Sequence, residues 1–371
     1  MTDKEKEELL EKYKLSQEKH DDIYNIIKRV WTFDKIPSSD KIAVIIGGQT
    51  GAGKSGIISY SQKMFKDGNV VIINSDEIKP FHPKAEEIAK LYPELYTEIT
   101  DQESNTWTSR LFEETRKEGY NIIFEGTMKN NRIADESITK LRDELGYTVI
   151  VRGLSVCDLE SRMSILERYE EQVSKKGWGR MVVPEHHNKT YLGMPNTIEY
   201  IERTGKYDIL EIFRRGENVG EPVLVYSKHN PATQKETKRK IDNNNFVSQC
   251  TQLNKHINGY QAIFDGREED YQRILDTYPE RLQNIRRMLI KRENELNEKL
   301  LKATTDMERK NLQYMLSQLQ EEKRQTLELL KTYEVKKKIM VQQTKSKVGI
   351  SWRKVMEFSS MPLSTDDDDA R

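Results

Sequence analysis

Residues 41 to 55 read Lys-Ile-Ala-Val-Ile-Ile-Gly-Gly-Gln-Thr-Gly-Ala-Gly-Lys-Ser, a short apolar strand that runs straight into a glycine-rich turn. Gly48, Gln49, Thr50, Gly51, Ala52, Gly53, Lys54 and Ser55 fit the pattern G-x-x-x-x-G-K-[ST]. In that pattern backbone N–H groups converge on phosphate oxygens, the lysine reaches the β- and γ-phosphates of ATP, and the serine hydroxyl holds Mg²⁺. Residues 56 to 65 can form the helix whose N-terminal dipole faces the same anion. A purely structural turn would leave the Lys-Ser pair unexplained.

Apolar runs and helical patterns then alternate. The sequence predicts a strand at 42–46, a helix at 54–66, a strand at 70–73, a helical region at 84–117 and a strand at 121–124. A helix at 131–145, a strand at 148–152, a helix at 157–172 and late strands at 207–212 and 223–226 follow. Buried β-branched runs separated by helices imply an α/β fold, a parallel sheet flanked by helices. Ahead of it, Ile23, Ile26, Ile27, Val30 and Trp31 recur at helical spacing, and Pro37-Ser38-Ser39-Asp40 ends that helix before the first strand.

Such sheets bind ligands at the carboxyl ends of their strands, so the residues there are the candidates for chemistry. One strand ends in Asn74-Ser75-Asp76 and another in Glu125-Gly126-Thr127. Asp76 either caps the next helix or positions an acceptor hydroxyl and takes its proton. An ordinary Asp, with a pKa of about 3.9, is a weak base, but in a loose transition state positioning matters more than early deprotonation. Glu125 can organise Mg²⁺ or hydrogen-bond a substrate. Arg168, late in a helix, and Arg180, after the Gly177-Trp178-Gly179 turn, can close over phosphates; the competing expectation for Arg168 is an ordinary solvated pair with Glu171 or a neighbour.

Composition narrows the partners. A formal net charge of +0 offers no global case for nucleic-acid or membrane binding. Two cysteines, Cys157 and Cys250, make neither a disulfide framework nor a zinc site, which points to a reducing cytoplasm. No apolar run approaches the ~20 residues that span a bilayer, and residues 1 to 8 lack the apolar core of a signal peptide.

The motifs, in order, resemble the zeta toxin family of P-loop kinases: Gly-Gly-Gln-x-Gly-x-Gly-Lys at 47 to 54, the strand ending at Asp76 followed by His82-Pro83, then Lys90-Leu91-Tyr92, Ser104-Asn105, Gly119-Tyr120-Asn121, Glu125-Gly126-Thr127 and Glu167-Arg168-Tyr169-Glu170. The resemblance spans about residues 41 to 215 and implies a P-loop kinase fold that transfers the γ-phosphate of ATP to a sugar hydroxyl of UDP-N-acetylglucosamine or a related UDP-sugar. It also implies an epsilon-type antitoxin that blocks the nucleotide site. On it, Lys54 contacts the transferred phosphate, Asp76 is the base, and Arg168 and Arg180 stabilise the transition state. His82, Ser104, Asn105, Ser109, Glu125 and Thr127 fall on the substrate side. Ser109 stands where the family has an acidic residue, and Lys129 where it often has arginine, so another nucleotide metabolite such as NAD remains an alternative acceptor.

After residue 230 the composition shifts. Residues 268 to 342 are dense in Glu, Lys, Arg, Gln and Leu, with Leu282, Ile285, Leu289 and Leu296 at partly heptad spacing. Thr305 and Glu308 make a capping box, so two helices breaking near 304 are expected, and Arg292 and Lys299 interrupt the apolar stripe against a long coiled coil. The organisation is therefore a helical segment at 1–38, a kinase-like domain at 39–230, a helical hairpin at 246–345 and a tail at 346–371. The helices at either end are candidates for cis-acting inhibition or antitoxin docking. A P-loop switch driving the C-terminal helices competes with the kinase, but neither an ABC-type signature nor an Asn-Lys-x-Asp guanine motif is present. An end kinase of nucleic acids is disfavoured by the lack of a basic, aromatic stripe.

Overall fold

The computed structural model describes residues 3–92, 95–180, 182, 184–216, 221–233 and 268–346. Six strands form one sheet in the order β2-β3-β1-β4-β5-β6. They are β1 Ile42–Gly47, β2 Val71–Asn74, β3 Ile122–Gly126, β4 Thr148–Ser155, β5 Ile209–Arg215 and β6 Pro222–His229. The first five run parallel and β6 pairs antiparallel with β5. Because side chains alternate across a strand, β1 feeds both faces: Ala43 and Ile45 join one apolar core, while Ile42, Val44 and Ile46 join the other.

Helices cover both faces. On one side lie α2 Gln17–Trp31, α6 Tyr96–Glu118, α7 Asn131–Thr139 and α9 Pro184–Thr204, which contribute Tyr24, Ile27, Trp107, Leu111, Ile138, Met194 and Ile198 to the larger core. On the other, α3 Lys54–Gln62 contributes Ile57, with Met64 and Phe65 just beyond it. The remaining α-helices among the described residues of this part of the chain are α1 Asp3–Tyr13, α4 Ser75–Ile78, α5 Ala85–Leu91 and α8 Asp158–Lys176. The N-terminal pattern packs as its spacing predicts at Ile23, Ile27 and Trp31, and Trp31 Nε1 donates to Ile72 O at 2.7 Å, whereas Ile26 and Val30 are exposed.

Several elements differ from the sequence reading. The helix expected to reach 66 stops at Gln62, and a 3-10 turn follows at Lys66–Gly68. The helix expected to reach 145 passes into a π turn at Lys140–Glu144. Strand β5 runs three residues past 212, to Arg215. Helix α9 was not anticipated, because His186, His187, Gly193 and Pro195 weaken a helical reading; a glycine there lets the helix approach the chain, since a Cβ on Gly193 would lie 2.7 Å from Lys129 O.

The chain divides into two compact units, Met1–Phe264 and Asp265–Arg371. In the second, α10 Glu268–Lys302 and α11 Asp306–Ser346 form a hairpin. Its break falls where the capping box predicts: Glu308 N–H donates to Thr305 Oγ1 at 3.2 Å, while the Glu308 carboxylate takes Thr304 N–H, one residue earlier than the motif's usual partner. Tyr278, Leu282, Ile285, Leu289 and Leu296 of α10 and Leu319, Leu329 and Tyr333 of α11 are buried. Where the stripe fails, Arg292 is not lost to solvent but pairs with the fully buried Glu322. Most of the boundary expected between 230 and 246, and most of the 346–371 tail, lie outside the described residues.

Candidate active site

Parallel pairing brings three strand ends together. Ile46 and Asn74 both lie opposite Glu125 in the register, so the phosphate loop after β1, the Asn74-Ser75-Asp76 corner after β2 and the Glu125-Gly126-Thr127 end of β3 share one edge. The loop needs its glycines. Gly51 and Gly53 adopt φ of +79° and +90°, and a Cβ on Gly51 would sit 2.1 Å from Ser161 O. Gly53 is the N-cap of α3, so the helix opens with its N–H groups toward the loop. Gln49 is buried and spends its side-chain N–H on Val156 O at 2.6 Å, which ties the loop to the end of β4. Thr50 and Ala52 are buried as well. Arg215 grips the loop from outside, a role absent from the sequence reading.

Lys54 Nζ lies 2.9 Å from Gly48 O, 3.4 Å from Gln49 O and 3.4 Å from Glu125 Oε1. Burial pushes the Lys54 ammonium down from its ordinary pKa, against the opposing pull of Glu125. Burial likewise raises Glu125, with Lys54 resisting. Asn74 links both halves: its Nδ2 donates to Glu125 Oε2 at 2.6 Å and its Oδ1 accepts from Asp76 N–H at 2.9 Å. Asn74, not Asp76, is therefore the cap of α4. The Asp76 carboxylate is left to Lys79, at 2.8 Å, and to Arg180. Burial alone would raise Asp76, but Arg180 and then Lys79 outweigh it and hold the carboxyl well below the usual range. Lys79, itself 5% exposed, also meets Asp101 at 3.0 Å.

Arg180 is set by its turn. Its N–H donates to Gln172 Oε1 at 2.9 Å, Trp178 packs on Tyr96 with ring centroids 5.6 Å apart, and a Cβ on Gly179 would lie 2.8 Å from Tyr169 O. Arg168 comes from α8. Its Nε and Nη2 are buried without a hydrogen-bond partner among the described residues, and burial followed by the nearby Arg180 charge lowers its pKa. The surface pair with Glu171 does not form, since Glu171 meets Lys175 at 2.5 Å. A buried guanidinium of this kind is satisfied by an anion.

The structure thus gathers Lys54, Asp76, Glu125, Arg168 and Arg180, and adds Asn74, Lys79 and Asp101. Thr127 is half-buried at the end of β3. Of the other substrate-side candidates, Ser104 adjoins this group and the rest lie apart from it. Both ring nitrogens of buried His82 are engaged inside the fold, with Tyr13 O at 3.0 Å and Lys84 N–H at 3.1 Å. Ser104 is buried with its hydroxyl 3.4 Å from Asp101 Oδ1, whereas Asn105 and Ser109 are exposed on α6. Ser55 is exposed at the first turn of α3. Among the described residues no cluster of three or more His, Cys, Asp or Glu side chains forms a metal cage; an open serine fits Mg²⁺ that is carried mainly by phosphates.

A mostly parallel sheet with a phosphate loop after its first strand, and carboxylates and arginines at the neighbouring strand ends, defines a P-loop kinase-like α/β protein. The zeta toxin family profile matches residues 29–221. The chain belongs to the zeta toxin family. It is 27% identical over 197 residues to Toxin zeta of Streptococcus agalactiae, covering 53% of this chain and 66% of that one. To Toxin zeta of Streptococcus pyogenes it is 26% identical over 230 residues, covering 58% and 77%. A chain from the solved PezAT chromosomal toxin–antitoxin system of Streptococcus pneumoniae superposes with a TM-score of 0.50 at 20% identity, covering 62% of this chain and 98% of that one, a likeness of fold.

Proposed function

We propose that this protein is an ATP-dependent phosphotransferase that moves the γ-phosphate of ATP onto a sugar hydroxyl of UDP-N-acetylglucosamine or a related UDP-sugar. The observation that carries the reading is the half-buried Arg168, whose Nε and Nη2 are buried without a hydrogen-bond partner among the described residues, close to Arg180, Asp76 and Glu125. Four cations, Lys54, Lys79, Arg168 and Arg180, meet at paired strand ends, an arrangement suited to a polyanionic donor and a diphosphate-bearing acceptor.

Gly51, Gly53 and the start of α3 cradle the donor phosphates, and Lys54 contacts the transferred group. Ser55, together with the phosphates, would hold Mg²⁺, which would supply positive charge against the transferring phosphoryl group. Asp76, kept ionised by Arg180 and Lys79, accepts a hydrogen bond from the acceptor hydroxyl and takes its proton as the oxygen–phosphorus bond forms and the bond from the γ-phosphorus to the bridging oxygen breaks, with ADP as the leaving group. Arg168 and Arg180 spread over the equatorial oxygens, and Glu125 holds Lys54 and the acceptor side in register. Its likeness to zeta toxins, and to a chain from a toxin–antitoxin system, supports a toxin restrained by an antitoxin or by the chain's own helices. No helix among the described residues is long and apolar enough to cross a membrane, in keeping with a cytoplasmic site of action.

The test is a single-turnover assay with ATP·Mg²⁺ against UDP-sugars, NAD and no acceptor, with products read by mass. A phosphorylated UDP-sugar is expected, reduced by at least ~10³-fold in Asp76→Asn with ATP affinity kept. A phosphorylated NAD would move the acceptor assignment, and unchanged turnover in Asp76→Asn would remove that residue from the base role.

A further inference from the structure

The last residue of β5 is the most heavily bonded side chain around the phosphate loop. Arg215 Nε donates to Ala52 O at 2.8 Å, and Nη2 donates to Gly51 O. Its Nη1 donates to Glu160 Oε1 at 2.7 Å and to Ser164 Oγ at 2.9 Å. One planar fork thus spans two consecutive loop carbonyls and two residues of α8, which a point charge such as lysine cannot do.

We propose that Arg215 is a positioning residue for phosphoryl transfer, the joint that holds the phosphate loop and Arg168 in mutual register. This rests on the kinase reading above. The first half of the argument is peptide geometry. Ala52 C=O and Gly53 N–H belong to one trans peptide, in which they point oppositely. Anchoring that carbonyl outward turns Gly53 N–H toward the anion side. The preceding peptide is pinned at both ends, since Gly51 O meets Arg215 and Ala52 N–H donates to Gln49 O at 3.1 Å. A Cβ on Gly53 would lie 3.1 Å from Arg215 Nε, so the glycine serves this close approach as well as its left-handed φ.

The second half is helix periodicity. Glu160, Ser164 and Arg168 recur every four residues and share one face of α8. Gripping the first two fixes the rotation and height of the third, whose Nε and Nη2 have no hydrogen-bond partner among the described residues. The loop and the arginine are therefore set against each other by a side chain that is bonded to the loop carbonyls and to α8.

The experiment compares wild type with Arg215→Ala, Arg215→Lys and Glu160→Gln, measuring ATP·Mg²⁺ affinity by calorimetry and kcat and KM with the best acceptor from the panel above. Arg215→Ala is expected to weaken ATP binding and lower kcat, on the order of 10²-fold for a misplacement of about 1 Å. Arg215→Lys should recover part of the affinity and little of the kcat. Glu160→Gln should lower kcat with affinity nearly kept, because it frees α8 and leaves the loop gripped. In an Arg168→Ala background the kcat penalty of Arg215→Ala should shrink, since Arg168 is no longer there to be misplaced. Wild-type kinetics in Arg215→Ala, or a kcat penalty as large without Arg168 as with it, would overturn the inference and leave the kinase reading standing. A wild type that binds no ATP overturns both.

Discussion

Arg168 shows what a site residue costs its fold. Most buried polar atoms in proteins are hydrogen-bonded, and leaving one unsatisfied costs about 1–3 kcal/mol. Arg168 carries two such nitrogens and faces the like charge of Arg180. Arg168→Leu is therefore expected to raise the Tm by roughly 2–4 °C, the response of a domain this size to about 1 kcal/mol, while cutting transfer by about 10²–10³-fold. A calorimetric scan beside an activity assay reads both. A lowered Tm would mean that the guanidinium supports packing. Asp76 behaves oppositely: Arg180 and Lys79 stabilise its ionised form, so it contributes to stability above the unfolded carboxylate pKa and loses that contribution only as pH falls through its depressed native pKa.

At the scale of elements, α8 and α9 are joined by a buried contact, Ser161 Oγ to His187 Nε2 at 2.7 Å, with Asn188 Oδ1 3.1 Å from His187 Nδ1. Burial lowers His187 to about 4 from an ordinary value near 6.5. The native state then stays neutral where the unfolded chain already binds a proton. Stability is full above pH ~6.5 and falls as pH drops toward ~4, by about 1.4 kcal/mol per pH unit at most. His187→Gln keeps a polar side chain that does not titrate, so urea midpoints at pH 7 and 4.5 should lie closer together in that variant than in wild type. An identical spread would assign the acid sensitivity elsewhere, His82 being next because burial lowers it too.

Legibility in the sequence followed how local each signal is. The phosphate loop, the carboxylates ending apolar strands and the capping box near 304 are local patterns, and the structure has each element where its pattern stands. Helix α9 hides behind Gly193 and Pro195, whose low propensity is overridden by burying Met194, Ile198 and Ile201. Arg215 is invisible for another reason: Arg214 and Arg215 end the apolar run, so the strand reads as finished before the residue that contacts the loop 163 positions away. His82 is the converse, a motif residue whose ring nitrogens both serve the fold.

At the scale of the molecule, the apolar cores on both faces of the sheet, and the smaller one that seats α1 on α5 and α6, use residues from 9 to 226 among the described residues. The hairpin has its own seam, where Tyr278 stacks on Tyr333 with centroids 4.9 Å apart and Arg292 meets Glu322. A unit that holds its own core can fold alone. A fragment of residues 1–264 is therefore expected to melt in one cooperative transition and to bind ATP·Mg²⁺ as tightly as the full chain, because every residue of the candidate site lies within it. Calorimetric titration of both proteins measures this. Weaker binding by the fragment would mean that the hairpin unit helps to build the nucleotide site. Binding that is equal, with faster turnover once the hairpin unit is gone, would assign that unit a restraining role on the acceptor side, since the donor side would be unchanged.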